Sequence, residues 1–273
     1  MVPDVLSQAQ FNTVYNFLSL VIAAQLFTAI FMAFGLKRVL ARYRLAITVA
    51  IVVCGIAAYH YFRIFDSFKT AFVSDSVGAQ GGYTLAVGES FNEGYRYVDW
   101  LLTVPLLLLE LIAVLSLARK VQTGLVARLI PAAAVMIMLG YPGEISGDNT
   151  VRGIFGLLST IPFAYILFIL FRQLSKSLAL QPDSVRGTLS RLRFLLLLSW
   201  GVYPIAYLLP LLNIAGSDAW VAKQVGYSVA DILAKAVYGL VIFYVARMKS
   251  YDDDPDFARA ETSTSDSPVA LAK

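Results

Sequence analysis

Val221-Ala-Lys-Gln-Val-Gly-Tyr-Ser228-Val-Ala-Asp231-Ile-Leu-Ala-Lys235-Ala-Val-Tyr238-Gly-Leu-Val-Ile-Phe-Tyr-Val-Ala-Arg-Met248 is the stretch whose reading decides the fold. It is long enough and apolar enough to cross a bilayer, yet a lysine stands near its midpoint with an aspartate one helical turn before it. Charges at that depth are costly and mark functional candidates. Four residues apart on a helix, the two side chains share a face, so Asp231 can pair with a cation at Lys235. A structural ion pair and a working charge site are both open at this point. A second apolar segment has to choose between them.

The rest of the chain has the same character. Of 273 residues, 58% are hydrophobic and only 15% charged, with mean hydropathy +0.69, which is not the composition of a soluble domain. Apolar runs of about twenty residues recur along nearly the whole length, so the expected fold is an all-α membrane protein, a seven-transmembrane-helix bundle. The spans fall at roughly 11–35, 44–65, 91–117, 124–143, 151–175, 189–212 and 220–247. The fourth, short and ending at Gly140-Tyr-Pro-Gly143, is the weakest. Between spans two and three, Gly81-Gly82-Tyr83-Thr84-Leu85-Ala86-Val87 predicts a short β-hairpin. Residues 1–249 form the bundle. Residues 250–273, opening Ser250-Tyr-Asp-Asp-Asp-Pro-Asp256 and continuing Glu261-Thr-Ser-Thr-Ser-Asp-Ser-Pro268, predict a disordered, solvated tail.

Lysine and arginine exceed aspartate and glutamate by 22 to 18, but no basic face suited to nucleic acid is visible, so no nucleic-acid partner is expected. Cys54 is the single cysteine and excludes an intramolecular disulfide; it lies in an apolar run and reads as core packing. His60 is the single histidine, which rules out a histidine-based metal cluster, and no metal is expected. The N-terminus has no positive region ahead of its apolar run, so a cleaved signal peptide is not expected.

Basic residues in the short loops set the orientation. Lys37, Arg38, Arg42, Arg44, Arg119, Lys120, Arg128, Arg172, Lys176, Arg186, Arg191, Arg193, Arg247 and Lys249 fall on one side, against Arg63, Lys69, Arg152 and Lys223 on the other. That imbalance makes the first side cytoplasmic, with the N-terminus outside and the C-terminus cytoplasmic. Spans three and seven therefore both run from outside to inside.

Span three supplies the second half of the argument: Arg96-Tyr-Val-Asp99-Trp100-Leu-Leu-Thr103-Val-Pro-Leu-Leu107-Leu-Leu-Glu110. At about 100° per residue, Arg96, Asp99, Thr103 and Glu110 fall within an arc of roughly 60° and form one polar stripe. Asp99 and Glu110 lie about 16 Å apart along the axis, too far to share a proton directly. Asp99 and Asp231 are on the exterior side of Lys235, and Glu110 is on the cytoplasmic side behind leucines that exclude water and favour its neutral form. The pattern describes a one-way proton path in which Lys235 gives its proton outward to Asp99 and is refilled from Glu110. Satisfied polar groups in a bundle core are the bland alternative. A lysine does not change its proton affinity unaided, so the path needs an energy input.

Taken together, Asp231 four before Lys235, the run Arg96-Tyr-Val-Asp-Trp-Leu-Leu-Thr-Val-Pro105, and Trp200-Gly-Val-Tyr203-Pro204 resemble the microbial rhodopsins, more narrowly the proteorhodopsin and xanthorhodopsin group of bacterial proton pumps. The resemblance covers all seven spans. It implies all-trans retinal on Lys235 as a protonated Schiff base, whose photoisomerisation supplies the energy while the protein binds, orients and tunes it. Trp100, Trp200, Tyr203, Pro204 and Tyr207 match pocket positions around the polyene; alone, such an aromatic stripe reads as core. Asp99 matches the primary acceptor, Asp231 the second counterion and Glu110 the cytoplasmic donor. Asp99, Thr103 and Glu110 are similar to the proton-pump pattern. Leu107 matches the position where leucine goes with green absorption. His60, which by itself reads as a satisfied or solvent-facing helix-end residue, matches the histidine that bonds the acceptor.

The resemblance also implies a light-driven outward proton pump in a bacterial plasma (inner) membrane, with protons as cargo, the lipid bilayer as surroundings and a homo-oligomeric state. Gly156 reads either as a small residue for close helix contact or, in register with xanthorhodopsin-like pumps, as the gap where other relatives carry a tryptophan over the retinal ring. The second reading implies a hydroxylated carotenoid antenna, blocked by Gly156→Trp with pumping left intact. The release residue is not assigned: Asp218 stands alone between spans six and seven, and Glu144 reads more readily as structural than as part of an exit network. A photosensory rhodopsin signalling through a partner is the competing function, disfavoured by Glu110. A seven-helix binding protein without chromophore is the third.

Overall fold

The structure is a computed structural model and describes residues 2–75, 82–212, 214 and 216–263. Strand β1 (Val5–Ser7) leads into α1 (Gln8–Gly35), followed by α2 (Arg44–Ala71), β2 (Phe72–Asp75), β3 (Gly82–Leu85), α3 (Gly94–Leu115), α4 (Arg119–Ile145), α5 (Asn149–Leu178) and α6 (Asp183–Leu208). The last spanning helix, α7 (Ser217–Asp253), and a short α8 (Pro255–Thr262) complete the described chain. The seven expected spans are all present as helices long and apolar enough to cross a membrane.

Local sequence explains the helix starts. Ser7 and Gln10 form a reciprocal capping box at α1, and the Asp148 carboxylate accepts from the Thr150 amide at α5, each satisfying amides that a helix N-terminus leaves unpaired. Consecutive helices from α1 to α5 pack side by side, and α7 closes the ring against α1, α2 and α6. The burial pattern follows the chemistry: α2, α3 and α7, which carry the polar stripe and its partners, are the most enclosed spans, and α5 faces outward over most of its length.

The expected hairpin is part of a larger element. β2 and β3 pair antiparallel, with Val73 opposite Thr84, and β1 adds on the other edge of β3, with Val5 opposite Thr84. The N-terminal strand escaped sequence reading because three residues carry no period of their own. Gly81, cited for the hairpin, lies outside the described residues. Phe11 stacks on Tyr83 with ring centroids 3.6 Å apart, and an outer apolar cluster with Phe68, Phe91 and Trp220 fastens the sheet to the bundle.

The tail expectation needs correction over its first part. Residues up to Asp253 continue α7, and Pro255–Thr262 form α8, started by Asp254, whose carboxylate accepts from the amides of Asp256 and Phe257. Acidic residues that read as solvated instead meet the cytoplasmic arginines: Asp253 pairs with Arg42 at 3.2 Å and accepts from Tyr43 at 2.5 Å, while Glu261 lies 3.9 Å from Arg38 and 3.7 Å from Arg247. The remainder of the tail, 264–273, lies outside the described residues.

Candidate functional site

Within α7 the segment Ile232–Val237 is π-helical and contains Lys235. Such widened turns insert one residue and concentrate at functional sites. The Asp231 backbone carbonyl, at its edge, accepts a hydrogen bond of 2.9 Å from Gln25 on α1. Lys235 is 2% exposed, and its Nζ lies 2.5 Å from Asp99 Oδ2 and 2.8 Å from Asp231 Oδ1. The two halves of the sequence argument thus meet at one nitrogen.

Three further groups organise this centre. Tyr61 donates to Asp231 Oδ2 at 2.6 Å and Tyr203 to Asp231 Oδ1 at 2.6 Å, so Asp231 is held by two hydroxyls as well as by Lys235. Arg96 is 1% exposed and donates to the Tyr61 hydroxyl at 2.9 Å and to Gln224 Oε1 at 2.7 Å. Lys235 and Arg96 balance Asp99 and Asp231 in formal charge, which makes burial of four ionisable groups tolerable. Among the described residues, Asp99 Oδ1 has no hydrogen-bond partner.

The remaining stripe residues are arranged less directly. Thr103 donates to the Asp99 backbone carbonyl at 2.8 Å, its own preceding turn. Glu110 is fully buried, and neither carboxyl oxygen has a partner among the described residues; Leu107, Leu108 and Leu111 of the same helix are buried with it. His60 is buried, its Nδ1 has no partner among the described residues, and no hydrogen bond joins it to Asp99.

Outward from Arg96 runs a network that the sequence reading missed. Gln224 Nε2 donates to Glu93 Oε1 at 3.0 Å, and Lys223 Nζ lies 3.0 Å from both Glu93 Oε1 and Glu144 Oε1. Arg152 adds a contact of 3.8 Å to Glu144 Oε2. Glu93, Glu144, Lys223 and Arg152 line a polar cavity together with Asp66 and Glu89. Gln224 and Ser228 continue the Asp231–Lys235 face backwards at helical spacing, a signal that was available. Tyr61 and Gln25 gave none beyond polarity within an apolar run.

Against this centre lies an apolar cavity walled by aromatic and aliphatic side chains with a few polar groups, the character of a small-molecule site. All eight residues proposed to contact a cofactor line it: Lys235, Trp100, Leu107, Trp200, Tyr203, Pro204, Tyr207 and Gly156. Trp100 and Tyr203 rings lie 4.9 Å apart, near edge-on.

The family described as bacteriorhodopsin-like protein matches residues 12–248. The chain is a microbial (type 1) rhodopsin. The crystal structure of xanthorhodopsin, described as a light-driven ion pump with dual chromophore, superposes on this rhodopsin with TM-score 0.86 at 42% identity, covering 92% of this chain and 99% of that one. The green-light absorbing proteorhodopsin of Gamma-proteobacterium EBAC31A08 is 29% identical over 232 residues, 85% of each chain. Archaerhodopsin-2 of Halobacterium sp. (strain aus-2) is 30% identical over 220 residues, 80% of this chain and 79% of that one.

A rhodopsin implies a retinal chromophore. The residues fit it: an aromatic-walled apolar cavity suits a polyene, Lys235 is the amine among the described residues that line it, and the Trp100 indole nitrogen in its wall is buried without a partner among the described residues.

Proposed function

We propose that this rhodopsin is a light-driven outward proton pump with all-trans retinal carried on Lys235 as a protonated Schiff base. The observation that carries the reading is the asymmetry about Lys235. Two carboxylates touch its nitrogen, one of them on α3, while the other acid of α3, Glu110, is buried without partners towards the cytoplasm.

Retinal supplies light absorption and an isomerisation that changes proton affinity at the nitrogen. Trp100, Trp200, Tyr203, Pro204, Tyr207 and Leu107 hold and shape its pocket, with Leu107 favouring green absorption. Lys235 Nζ keeps its proton between Asp99 and Asp231 at rest. Asp99 takes it, because Oδ2 is already at 2.5 Å and Oδ1 is open. Asp231 remains the fixed counter-charge, since Tyr61, Tyr203 and Lys235 hold both its oxygens. Thr103 steadies the α3 turn that carries Asp99, and His60 adjusts the acceptor from α2. Arg96 and the Gln224, Glu93, Lys223 and Glu144 network lie on the way out. Glu110 refills the nitrogen from the cytoplasmic side.

The test is illumination of a cell suspension with the external pH recorded. The expected result is acidification abolished by a protonophore, with no visible band and no acidification from Lys235→Ala. A photocycle without acidification would favour the photosensory function instead.

The same reading places the protein in a bacterial plasma membrane as a homo-oligomer, with a hydroxylated carotenoid as antenna. Gly156 supports the carotenoid: it lines the cavity on α5 and is itself partly exposed.

A further inference from the structure

Lys249, on α7 beyond Lys235, is a buried cation that no step above uses. Its Nζ donates to the backbone carbonyls of Val114 at 3.0 Å and Leu115 at 3.4 Å and to Gln181 Oε1 at 2.9 Å. Gln181, between α5 and α6, donates in turn to the Leu115 carbonyl at 3.2 Å, and both side chains belong to residues only 5% exposed. There α3 ends, with Ser116 in the left-handed region at φ 51°. One ammonium therefore sits on the last carbonyls of α3, the negative end of the helix dipole, and knots α3, α7 and the α5–α6 turn together.

The position of the knot matters more than its strength. Leu115 lies five residues past Glu110, about 7.5 Å along the axis; Leu111, Ile112 and Val114 between them, and Leu115 itself, are buried. At the knot opens a cavity of mixed lining, whose polar groups include Ser116, Gln173, Lys176, Ser177, Gln181 and Lys249. The terminal carbonyls of a helix are groups that water would otherwise solvate. Lys249 occupies them. The Tyr43 ring lies 5.1 Å from its ammonium, and the Arg42–Asp253 pair borders the same cavity.

The geometry points to Lys249 and Gln181 as the closure of the proton-uptake route to Glu110. Intact, the knot keeps cytoplasmic water from the end of α3; opened, it lets Glu110 be refilled. Both residues are positioning residues, and the inference rests on the pump reading.

Flash photolysis with a pH-sensitive dye on the full-length pigment, for the parent, Lys249→Met, Gln181→Leu and Lys249→Arg, tests it. Proton uptake from the bulk is expected to accelerate about tenfold in Lys249→Met and Gln181→Leu, the rate equivalent of one buried hydrogen bond. The rise of the deprotonated pigment should be unchanged, and Lys249→Arg, which keeps donors at the carbonyls, should stay near the parent. A lowered melting temperature with parental uptake kinetics in both variants would reduce the knot to a helix cap and overturn the inference. If Lys249→Met does not fold, Gln181→Leu decides alone. A parent with no light-induced uptake at all would instead remove the pump reading.

Discussion

Gln25 Nε2 donates to the Asp231 backbone carbonyl across 2.9 Å, so a residue of α1 fixes the turn where α7 widens around Lys235. Gln25 is fully buried, and its own Oε1 has no partner among the described residues. Gln25→Leu removes the donor and leaves a buried carbonyl short of a bond. The expected cost is about 1–3 kcal/mol of stability, with a shifted visible band because the widened turn also holds the lysine. Thermal bleaching and the absorption spectrum check it; parental values for both would show that the π segment holds without α1.

Asp99→Asn removes the negative charge 2.5 Å from Lys235 Nζ while keeping size and shape. A red-shifted pigment without pumping is expected, since the protonated nitrogen loses ground-state stabilisation, and Asp231 alone remains as its counter-charge. His60 enters the same experiment. With its Nδ1 and Asp99 Oδ1 both unpartnered, His60→Asn is expected to move the spectral pH titration of the parent band. Unaltered titration would leave His60 as packing, and pumping retained in Asp99→Asn would end the acceptor assignment.

Outside the spans, Glu93 gives the fold an acid limit. Burial pushes its carboxyl up, but the Lys223 ammonium at 3.0 Å and the Arg96 guanidinium outweigh burial and hold it below the usual carboxylate range. A group depressed on folding stabilises the protein fully above its unfolded value, about 4.3 for glutamate, and that contribution is lost as pH falls through the lower folded value. Stability is therefore expected to drop below about pH 4. Glu93→Gln should lower stability at neutral pH and flatten this acid limb. Melting temperature as a function of pH measures both; parallel curves for parent and variant would discount the Lys223 clamp.

Apolar run length made seven helices legible, and helical spacing brought Asp99, Glu110, Asp231 and Lys235 onto facing stripes before any contact was known. What stayed hidden depends on the meeting of distant segments. Tyr61 and Gln25 are unremarkable in their own helices and acquire roles only because α1 and α2 pack on α7. Glu93 sits in a loop whose neighbours, Lys223 and Glu144, come from the ends of α7 and α4. The acidic stretch after Ser250 read as solvated because the arginines that receive it, Arg38, Arg42 and Arg247, are supplied by other parts of the bundle.

Gly156 carries the antenna prediction, and its surroundings modify it. A Cβ placed there would lie 2.7 Å from Tyr207 Cε1, closer than real contacts allow, and the Tyr207 hydroxyl is anchored to the Arg152 carbonyl at 2.8 Å. Any side chain at 156 must therefore turn the Tyr207 ring, which itself lines the cavity. Close packing against Tyr207 is thus one sufficient reason for the glycine, and a lateral opening for a carotenoid is a second that only binding can establish. Gly156→Trp is expected to abolish any blue contribution of added hydroxylated carotenoid to the pumping action spectrum. It should also shift the visible band through Tyr207, while Lys235, Asp99 and Glu110, which it does not touch, sustain pumping. Tyr207→Phe separates the two effects: it frees the ring from Arg152 without filling the gap, so carotenoid sensitisation should survive. If parent and Gly156→Trp give the same action spectrum with carotenoid present, the glycine serves Tyr207 alone.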